Sequence, residues 1–590
     1  MNILIDTIRI AGFRGIKNLE MSLPRVTVLI GTNNSGKTSL LKAMQLALGD
    51  YSRYLSEEDF HIGADEKRVP EILVDVRIIP VDGDGIRTQR FNDEWTTEFG
   101  DKIRAEANGS QFVALRTRTE PDKIKGGYDC KRSTLERWPD LTTWQTEKIK
   151  ETNMSSRFES MPFISIEAQR DIHLELKDRS SFVGKVLSNV EYKPAEITAL
   201  ESLIKGVNDE AVNKSIVLQK LKTHLEKLNQ SFQGSGSAEI TPFPKKIRDL
   251  SKHFSIHFGE SLSGIFSMEY HGMGTRSWAS MLTVKAFTDL MADKHEKEEK
   301  PFFPILAAEE PEAHLHPNAQ KTLYHQLAES KGQVIVSTHS PYLAAMADIT
   351  HLRSLRKDST GIVAKKLLYD ISEEDKKILK REITIKRGEI LFSRALILSE
   401  GITEEQVLPA MFEVYTGKSL YDLGISCISV GGKNYSPFVK LACSLGIPTF
   451  IVSDNDGTTK NEIEAQLHNL KKDTCIALGS DIFGVSYLNS NNDFEAELLL
   501  QTKLKDEIIS ALVSSETNGT ENDRYRDAKH KEITALSEED ILLRMRGEKA
   551  SYAGFLADVL RENPNNRKAD ALLPFAVIDA FKAVKGWLSI

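Results

Sequence analysis

The sequence is poor in cysteine and has no long apolar run, and each absence excludes a class of protein. Its 590 residues include four cysteines, Cys130, Cys427, Cys443 and Cys475, with no close pair among them. This usage excludes a disulfide framework and a cysteine-rich zinc site, and it favours a reducing compartment. No run of about 18 apolar residues occurs, and the first residues are too polar for a signal peptide. We therefore expect a cytoplasmic protein with no membrane partner.

An excess of positive charge is also absent. The formal net charge is −8, so the chain lacks the overall basic field of many nucleic-acid-binding proteins. A local cationic groove on an acidic protein can still bind phosphate, and composition does not decide the partner. The chain is 40% hydrophobic and 27% charged. At this length it is globular and too long for one core, and we expect roughly two to four domains.

A glycine-rich loop near the N-terminus predicts a nucleotide site. The apolar run Val26–Ile30 is typical of a buried strand, and Ser39–Leu48 has the periodicity of a helix. Between them lies Gly-Thr-Asn-Asn-Ser-Gly-Lys-Thr, a P-loop in the context that this motif requires. Its backbone amides would cradle the phosphates of ATP, with Lys37 on the β- and γ-phosphates and Thr38 on Mg²⁺. The loop residues predicted to bind ATP are Asn33, Asn34, Ser35, Gly36, Lys37 and Thr38. A glycine-rich turn without a ligand is the alternative.

Two later segments resemble further parts of an ABC-type ATPase. An apolar segment, 302–308, leads into Glu-Glu-Pro-Glu-Ala-His-Leu-His-Pro, which resembles a Walker B strand and D-loop. In that resemblance Glu309 binds on the magnesium side and Glu310 orients the attacking water. The usual first acid is aspartate, and Glu309 is one methylene longer. His339 follows the apolar segment 333–336 and resembles the switch histidine that senses the γ-phosphate, with a structural histidine as the alternative.

Two weaker patterns complete the predicted ATPase. The segment Gly272–Trp278 precedes an expected helix, Ala279–Leu290, and resembles the ABC signature, which contacts the ATP of the other subunit. It departs from the common Leu-Ser-Gly-Gly form, and Gly274 is the residue assigned to the nucleotide. Gln169 is a candidate Q-loop residue that would face the cofactor. A strand-end glutamine without a role is its alternative.

Between these motifs, a helical insert is predicted. Residues 195–204 and 216–228 have helical periodicity, and the second segment has an apolar stripe made of Ile216, Leu218, Leu221, Leu225 and Leu228. The stripe is too short for a long coiled coil. We interpret the insert as a dimerisation element, with ordinary core packing as the alternative.

After Arg387 the pattern changes to short apolar strands separated by helices. Strands are expected over 394–398, 425–430 and 449–452, and acids follow the first and third of them. Because the carboxyl ends of parallel strands meet at one sheet edge, these acids are expected to converge. Clustered carboxylates repel one another unless divalent cations neutralise them. The acids predicted to bind metal and to take part in catalysis are Glu400, Glu404, Asp454 and Asp456.

This set resembles the Toprim domain, in which a strand-end glutamate and an Asp-x-Asp pair hold metal ions. Mg²⁺ is the expected ion, and Mn²⁺ could replace it. Glu495 is a further candidate ligand, although an exposed acidic helix start would look similar. Lys549 resembles the late lysine of Toprim nucleases and would stabilise the charge that develops during cleavage. Lys568 is the alternative lysine, and an ordinary surface lysine remains the simpler interpretation.

The order of these parts resembles the Overcoming Lysogenization Defect (OLD) family. The expected fold is α/β: an ABC-type ATPase domain over 1–190 and 251–385, a helical dimerisation insert over 191–250, and a Toprim domain over 386–590. The resemblance implies an ATP-regulated, metal-dependent DNA endonuclease or nickase, used in defence against bacteriophage. It also implies a homodimer or higher homo-oligomer, and some relatives act with a helicase-like or reverse-transcriptase partner.

Two other functions fit the same motifs. The chain could be a DNA repair or recombination ATPase whose Toprim domain binds DNA without cutting it. It could also be an ATP-dependent clamp or sensor that recognises DNA ends or a phage protein. Residues 50–160 and 500–545 give no assignment, and the sequence does not indicate whether ATP activates or inhibits cutting.

Overall fold

The computed structural model contains two compact units, one formed by residues 1–4, 79–113 and 154–335 and the other by residues 5–78, 114–153 and 336–590. Residues 2–589 are described with these exceptions: 64, 123, 125, 169–191, 232–256, 259–265, 268–269, 271, 359, 368–371, 383–386, 475–480, 490, 520–521 and 563–571. No helix in this described part is long and apolar enough to cross a membrane.

The strands, in chain order, are β1 (Ile3–Phe13), β2 (Ile16–Ser22), β3 (Val26–Ile30), β4 (Ile72–Pro80), β5 (Arg104–Ala105), β6 (Gln111–Pro121), β7 (Tyr128–Leu135), β8 (Glu151–Asn153), β9 (Phe163–Ile166), β10 (His257–Phe258), β11 (Phe266–Ser267), β12 (Ile305–Glu309), β13 (Gln333–Ser337), β14 (Leu352–Asp358), β15 (Gly361–Lys366), β16 (Ala395–Ser399), β17 (Ile425–Ser429), β18 (Thr449–Ser453) and β19 (Phe483–Tyr487).

The helices are α1 (Lys37–Leu48), α2 (Asp93–Phe99), α3 (Pro194–Lys214), α4 (Ile216–Ser231), α5 (Met273–Lys297), α6 (Pro317–Ala328), α7 (Pro341–Met346), α8 (Glu373–Leu379), α9 (Ile402–Thr416), α10 (Ser436–Leu445), α11 (Thr459–Thr474), α12 (Phe494–Gln501), α13 (Lys505–Glu516), α14 (Asp523–Thr534), α15 (Glu538–Gly547), α16 (Lys549–Glu562) and α17 (Phe575–Leu588).

The first unit contains the acidic strand and the helical insert. Strand β12 pairs in parallel with β9, with Ile305 opposite Phe163. Helices α5 and α6 are joined by a hydrogen bond from the Trp278 indole to the Gln326 side chain, at 3.1 Å. The insert forms the helices α3 and α4, which pack on each other. The predicted insert helices are therefore present, whereas their role in dimerisation remains a prediction.

The second unit begins with an antiparallel sheet in the order β2-β1-β4-β6-β7-β8. Parts of the stretch 50–160, which has no assignment from sequence, form four of these strands. Arg116 is 2% exposed inside this sheet, and its guanidinium donates to both carboxylate oxygens of Asp75, at 2.8 and 2.7 Å. A buried arginine of this kind needs such a partner because an unpaired charge would be costly there. In the same unit, β14 pairs in parallel with β3 and antiparallel with β15.

The C-terminal part of the second unit is a four-stranded sheet in the order β17-β16-β18-β19. All three pairings are parallel, so the carboxyl ends of the strands lie at one edge. The stretch 500–545, also unassigned from sequence, forms helices whose apolar residues join the core beneath this sheet. Leu512, Ile541 and Met545 are fully buried there. The predicted α/β fold is confirmed in both parts of the chain.

The expected start of the helix after Gly272 is wrong. The sequence predicts that Gly272–Trp278 precedes a helix beginning at Ala279, but the helix α5 already begins at Met273. Gly274 therefore lies in the first turn of a helix. The helix start is not predicted from sequence because this segment contains glycines. Glycine lowers helix propensity, but a helix can still form.

Candidate active site: a phosphate loop and a carboxylate cluster

The P-loop has the backbone conformation that its glycines allow. Gly31 and Gly36 have φ angles of 150° and 98°, and Asn34 has 61°, in the region that L side chains rarely adopt. A Cβ at Gly31 would overlap the Leu355 carbonyl oxygen and lie 2.6 Å from the Ser35 hydroxyl. The loop is therefore a tight cradle that only glycine can form at this position.

The loop lysine lies inside this cradle. Lys37 is 5% exposed, and its ammonium donates to the carbonyl oxygens of Gly31 and Thr32 at 2.8 and 3.1 Å. Asn33, Asn34 and Thr38 are exposed around it. The Thr338 amide donates to the Leu29 carbonyl at 3.1 Å, which brings the segment of His339 beside the strand that leads into the loop. The loop therefore has the shape to hold a phosphate group, and the roles of its residues and of His339 remain predictions.

The acidic segment of the first unit turns sharply at the predicted water-orienting residue. Glu309 ends β12, and Glu310 has a φ of 42°, followed by His314 with a φ of 67°. A Cβ at Gly274 would overlap the backbone carbonyl oxygen of His314. Gly274 is therefore needed for the close approach of α5 to this segment, and its contact with nucleotide remains a prediction. Gln169 lies outside the described residues.

The C-terminal sheet places the predicted acids at one edge. Glu400 follows β16, and Asp454 follows β18, which is the direct neighbour of β16. Leu398 pairs with Ile451, and the same register places Glu400 beside Ser453, the residue before Asp454. The chain order reverses between these two strands, since β17 lies on the other side of β16. Such a reversal opens the crevice where parallel α/β sheets bind their ligands.

Two glutamates from helices complete the buried part of the site. Glu404 lies in the first turn of α9 and is 4% exposed, and its carboxylate accepts from the Gly401 amide at 3.2 Å. Glu495 lies in α12 and is 1% exposed, and it accepts from the Thr403 hydroxyl at 2.8 Å. The alternative interpretation of Glu495 as an exposed helix start is wrong, because its side chain is inside the protein.

Burial and mutual repulsion leave the carboxyl groups of Asp454, Glu404 and Glu400 poorly stabilised as anions. Burial, followed by the charges of Glu404 and Glu400, raises the pKa of Asp454 to about 9. Burial also raises the pKa of Glu404 to about 7 and that of Glu400 above its usual value. One oxygen each of Glu400 and Asp454 is buried without a hydrogen-bond partner. Buried carboxylate oxygens without donors are costly, which is the expected condition of a site built to bind a cation.

Among the described residues, three cations lie beside these acids or their neighbours. The Lys549 ammonium donates to Glu495 at 2.9 Å, which brings the predicted lysine into the site. The Arg546 guanidinium donates to Asp493 at 2.8 Å and, although burial opposes it, holds the pKa of Asp493 below its usual value. The Lys433 ammonium lies 3.7 Å from the carboxylate of Asp456. Lys568, the alternative to Lys549, lies outside the described residues.

Some residues of the site are not predicted from sequence. Lys433 follows β17 at the same sheet edge as the acids, a position that could have indicated it. Glu497 is 1% exposed and accepts from the side chains of Asn489 and Asn492, so it supports the loop after β19. Tyr435 is 1% exposed below the acids, and burial, then the charge of Glu400, raises the pKa of its hydroxyl. A single tyrosine near a strand end has no sequence signal.

The carboxylate oxygens at this sheet edge suit hard divalent cations, although they are not already arranged around a metal position. Within the described ranges, no group of three or more His, Cys, Asp or Glu side chains is arranged to hold a metal ion as it stands. The donors at this edge are carboxylate oxygens, which Mg²⁺ and Mn²⁺ prefer, and two of them lack any partner. Glu400, Glu404, Asp454, Asp456 and Glu495 would hold such an ion, and the assignment of each residue remains a prediction.

The fold and these two sites define a class: an ABC-type ATPase joined to a Toprim-like domain. Family models agree with both parts. Residues 391–456 match the Overcoming lysogenization defect protein-like TOPRIM domain, and residues 129–344 match the AAA ATPase domain. Residues 3–79 match a protein family of unknown function, DUF2813. The predicted resemblance to the OLD family is confirmed.

Similar proteins cover most of the chain. The Old nuclease of Escherichia phage P2 is 25% identical over 77% of this chain and 78% of its own length. The OLD nuclease of Thermus scotoductus is 26% identical over 77% of this chain and 82% of its own. Endonuclease GajA of Bacillus cereus strain VD045 is 24% identical over 80% of this chain and 78% of its own. Both domains are therefore shared with these relatives in one chain.

Proposed function

We propose that the protein is an ATP-regulated, divalent-metal-dependent DNA endonuclease or nickase. The observation that carries this proposal is the convergence of buried carboxylates at the crevice between β16 and β18, with partnerless oxygens on Glu400 and Asp454. Relatives that share both domains are named as nucleases, which supports the same reaction class.

The carboxylates and Lys549 have separate roles in the proposed reaction. A bound divalent cation would supply a hydroxide-like nucleophile and neutralise the phosphodiester. Glu400, Glu404, Asp454 and Asp456 would hold the ion, and burial would keep bulk water away from Glu404. Lys549, held by Glu495 at 2.9 Å, would place a positive charge where negative charge develops on the phosphate.

At the other site, ATP would bind in the P-loop cradle. Lys37 would move from the carbonyls of Gly31 and Thr32 to the phosphates, and Thr38 and Glu309 would bind Mg²⁺. Glu310 would orient water, and His339 would sense the γ-phosphate. In the proposal, Gly274 and the helix α5 of a second copy close over the nucleotide, which makes a homodimer the smallest active form.

A direct contact between the switch segment and the Toprim-like domain supports regulation by ATP. Pro341, two residues after His339, begins α7, which packs on the short 3-10 helix Gly388–Phe392. The carbonyl oxygen of Pro341 would lie only 2.6 Å from a Cβ at Gly388. A movement of the switch segment would therefore be transmitted to this helix.

From that helix the connection continues to the carboxylate edge. Arg387, the residue before the helix, donates to Glu405 at 2.8 Å and to the Ser429 carbonyl at 3.2 Å. The Ser429 hydroxyl in turn donates to the carbonyl oxygen of Glu400 at 2.9 Å. These contacts support a mechanical route from the γ-phosphate sensor to the first acid of the site.

The wider biological role is part of the same proposal. Defence against bacteriophage, alone or with a helicase-like or reverse-transcriptase partner, follows from the family resemblance.

Leu203 and Val207 of the insert helix α3 are 67% and 55% exposed, which supports the insert as a dimer contact. The proposal holds for either sign of the ATP effect on cleavage.

The test is cleavage of supercoiled plasmid by purified protein with Mg²⁺ or Mn²⁺, beside the variant Asp454→Ala. Metal-dependent nicking or linearisation by the wild type, lost in the variant, is the expected result. Binding of DNA without cleavage by either protein would instead favour a repair ATPase or a clamp. A companion assay plates phage on cells that express each form, with protection expected only from the wild type.

A further inference from the structure

Lys433 has no role in the function proposed above, yet it lies at the mouth of the carboxylate cluster. The residue follows β17 in a loop with two glycines, Gly431 and Gly432, at φ angles of 70° and 132°. The amide of Gly432 donates to the Glu400 carbonyl at 3.1 Å, and that of Gly431 donates to the Ser429 hydroxyl at 3.1 Å. The loop is therefore tied directly to the strand end that bears the first acid.

Hydrogen bonds hold both the backbone carbonyl and the side-chain ammonium of Lys433. Its carbonyl oxygen accepts from the Gln466 side chain at 2.9 Å, so α11 holds the backbone. Its ammonium donates to the Thr459 hydroxyl at 2.5 Å, and that hydroxyl donates to Asp456 at 2.5 Å. The ammonium itself is 3.7 Å from the Asp456 carboxylate. Thr459, the middle member of this three-membered chain, is fully buried.

The distribution of charge around the cluster explains the presence of a cation beside Asp456 and Glu400. Lys549 and Arg546 are bound to Glu495 and Asp493, on the α12 side of the cluster. The Lys433 ammonium lies 3.7 Å from the Asp456 carboxylate, and its charge acts on Glu400 more strongly than that of Lys549. Its charge opposes the rise that burial produces in the pKa of Glu400. An ammonium and a divalent cation are attracted to the same carboxylates and repel each other.

We propose that Lys433 is a positioning residue that holds Asp456 at the mouth of the site and competes there with the divalent cation. This inference rests on the proposed function, since it concerns the same metal site. The side chains of Lys433 and Asp456 are 36% and 50% exposed, so an entering ion can reach the pair from solvent. A divalent cation bound by Asp456 would displace the ammonium of Lys433, which could then contact a DNA phosphate at the site entrance.

The test is a calorimetric titration of the full-length protein with Mn²⁺ alone, without nucleotide or DNA. The wild type is compared with Asp454→Ala, which identifies the heat that belongs to this site. Lys433→Met is expected to bind Mn²⁺ about tenfold more tightly, because a repelling charge has been removed. Lys433→Arg keeps the charge and is expected to bind as the wild type does. Lys460→Met, which removes an exposed lysine of the same helix as Thr459, is the matched control.

The outcomes separate the two proposals. No Asp454-dependent binding in the wild type would overturn the proposed metal site and the Lys433 inference with it. Asp454-dependent binding with an unchanged or weaker affinity in Lys433→Met would overturn the Lys433 inference alone. A thermal melt of each variant without metal confirms folding. If Lys433→Met does not fold, Lys433→Gln is titrated against the same criteria.

Discussion

At the scale of single residues, Asp454 is the least stable anion of the site. It is 9% exposed, one of its oxygens has no hydrogen-bond donor, and burial raises its pKa to about 9. In the unfolded chain its pKa would be about 4. Between these two values the folded protein holds a proton that the unfolded chain releases. In metal-free protein this residue therefore makes the free energy of unfolding decrease as the pH rises from about 4 to about 9.

Asp454→Asn removes this dependence. In EDTA at pH 8 the variant is expected to melt about 5 °C above the wild type, and near pH 4 the two are expected to melt together. Part of the remaining slope belongs to Glu404, whose pKa is raised to about 7 and which is coupled to Asp454. Thermal melts across this pH range measure the difference. A variant that is less stable than the wild type at pH 8 would contradict the electrostatic account.

A second residue-scale prediction concerns Lys549. Lys549→Met leaves Glu495 without its cation and removes the charge proposed to stabilise the transition state. Plasmid nicking is expected to fall by about 10²–10³-fold, as for other single groups that stabilise developing charge. Arg546→Met is the matched control, because it removes a cation three residues away that is bound to Asp493. Equal losses in both variants would show that general charge, and not the position of Lys549, matters.

At the scale of elements, the contact between α7 and the helix Gly388–Phe392 is the proposed route of regulation. Gly388→Ala would place a Cβ 2.6 Å from the Pro341 carbonyl oxygen, so the two helices must separate. Nicking without ATP is expected to persist, and ATP hydrolysis is expected to stay within about twofold of wild type, while the effect of ATP on nicking is lost.

The matched control for that change is Gly586→Ala in α17, where an added Cβ meets no atom within 4 Å. It is expected to preserve the ATP effect. Nicking rates with and without ATP, measured beside ATP hydrolysis, provide the comparison. A Gly388→Ala protein that responds to ATP as the wild type does would contradict the proposed route.

Elements with a continuous apolar run could be predicted from sequence. Strands β3, β13 and β18 are fully buried along their length, and a short apolar run between turn residues is typical of such a strand. The acids after β16 and β18 could be predicted to meet, because parallel strands share one edge. The start of α5 could not be predicted, because the glycines at 272 and 274 are more typical of a loop than of a helix.

Contacts between distant segments could not be predicted from the sequence. Thr403 bonds to Glu495 and Lys549 bonds to the same carboxylate, across separations that no local pattern encodes. Lys433 was visible only as a lysine after a strand, and its tie to Asp456 passes through Thr459. Such contacts depend on how distant segments pack in three dimensions, and local sequence propensity does not indicate that packing.

At the scale of the whole molecule, the insert is proposed to join two copies. Leu203→Glu introduces a charge at a side chain that is 67% exposed in α3. The variant is expected to lose oligomeric mass in light scattering after gel filtration, with a thermal midpoint within about 2 °C of wild type. Leu543→Glu, at a 71% exposed position in α15, is the control and is expected to keep the wild-type mass. An unchanged mass in Leu203→Glu would contradict the dimerisation role.

The central claim is that one carboxylate site cuts DNA under the control of the P-loop. The most direct test is the rate of plasmid nicking during an ATP titration in the wild type, Lys37→Ala and Asp454→Ala. ATP is expected to change the rate of the wild type only, Lys37→Ala is expected to nick at one rate throughout, and Asp454→Ala is expected not to nick. Nicking by Asp454→Ala, or a wild-type response to ATP in Lys37→Ala, would contradict the account.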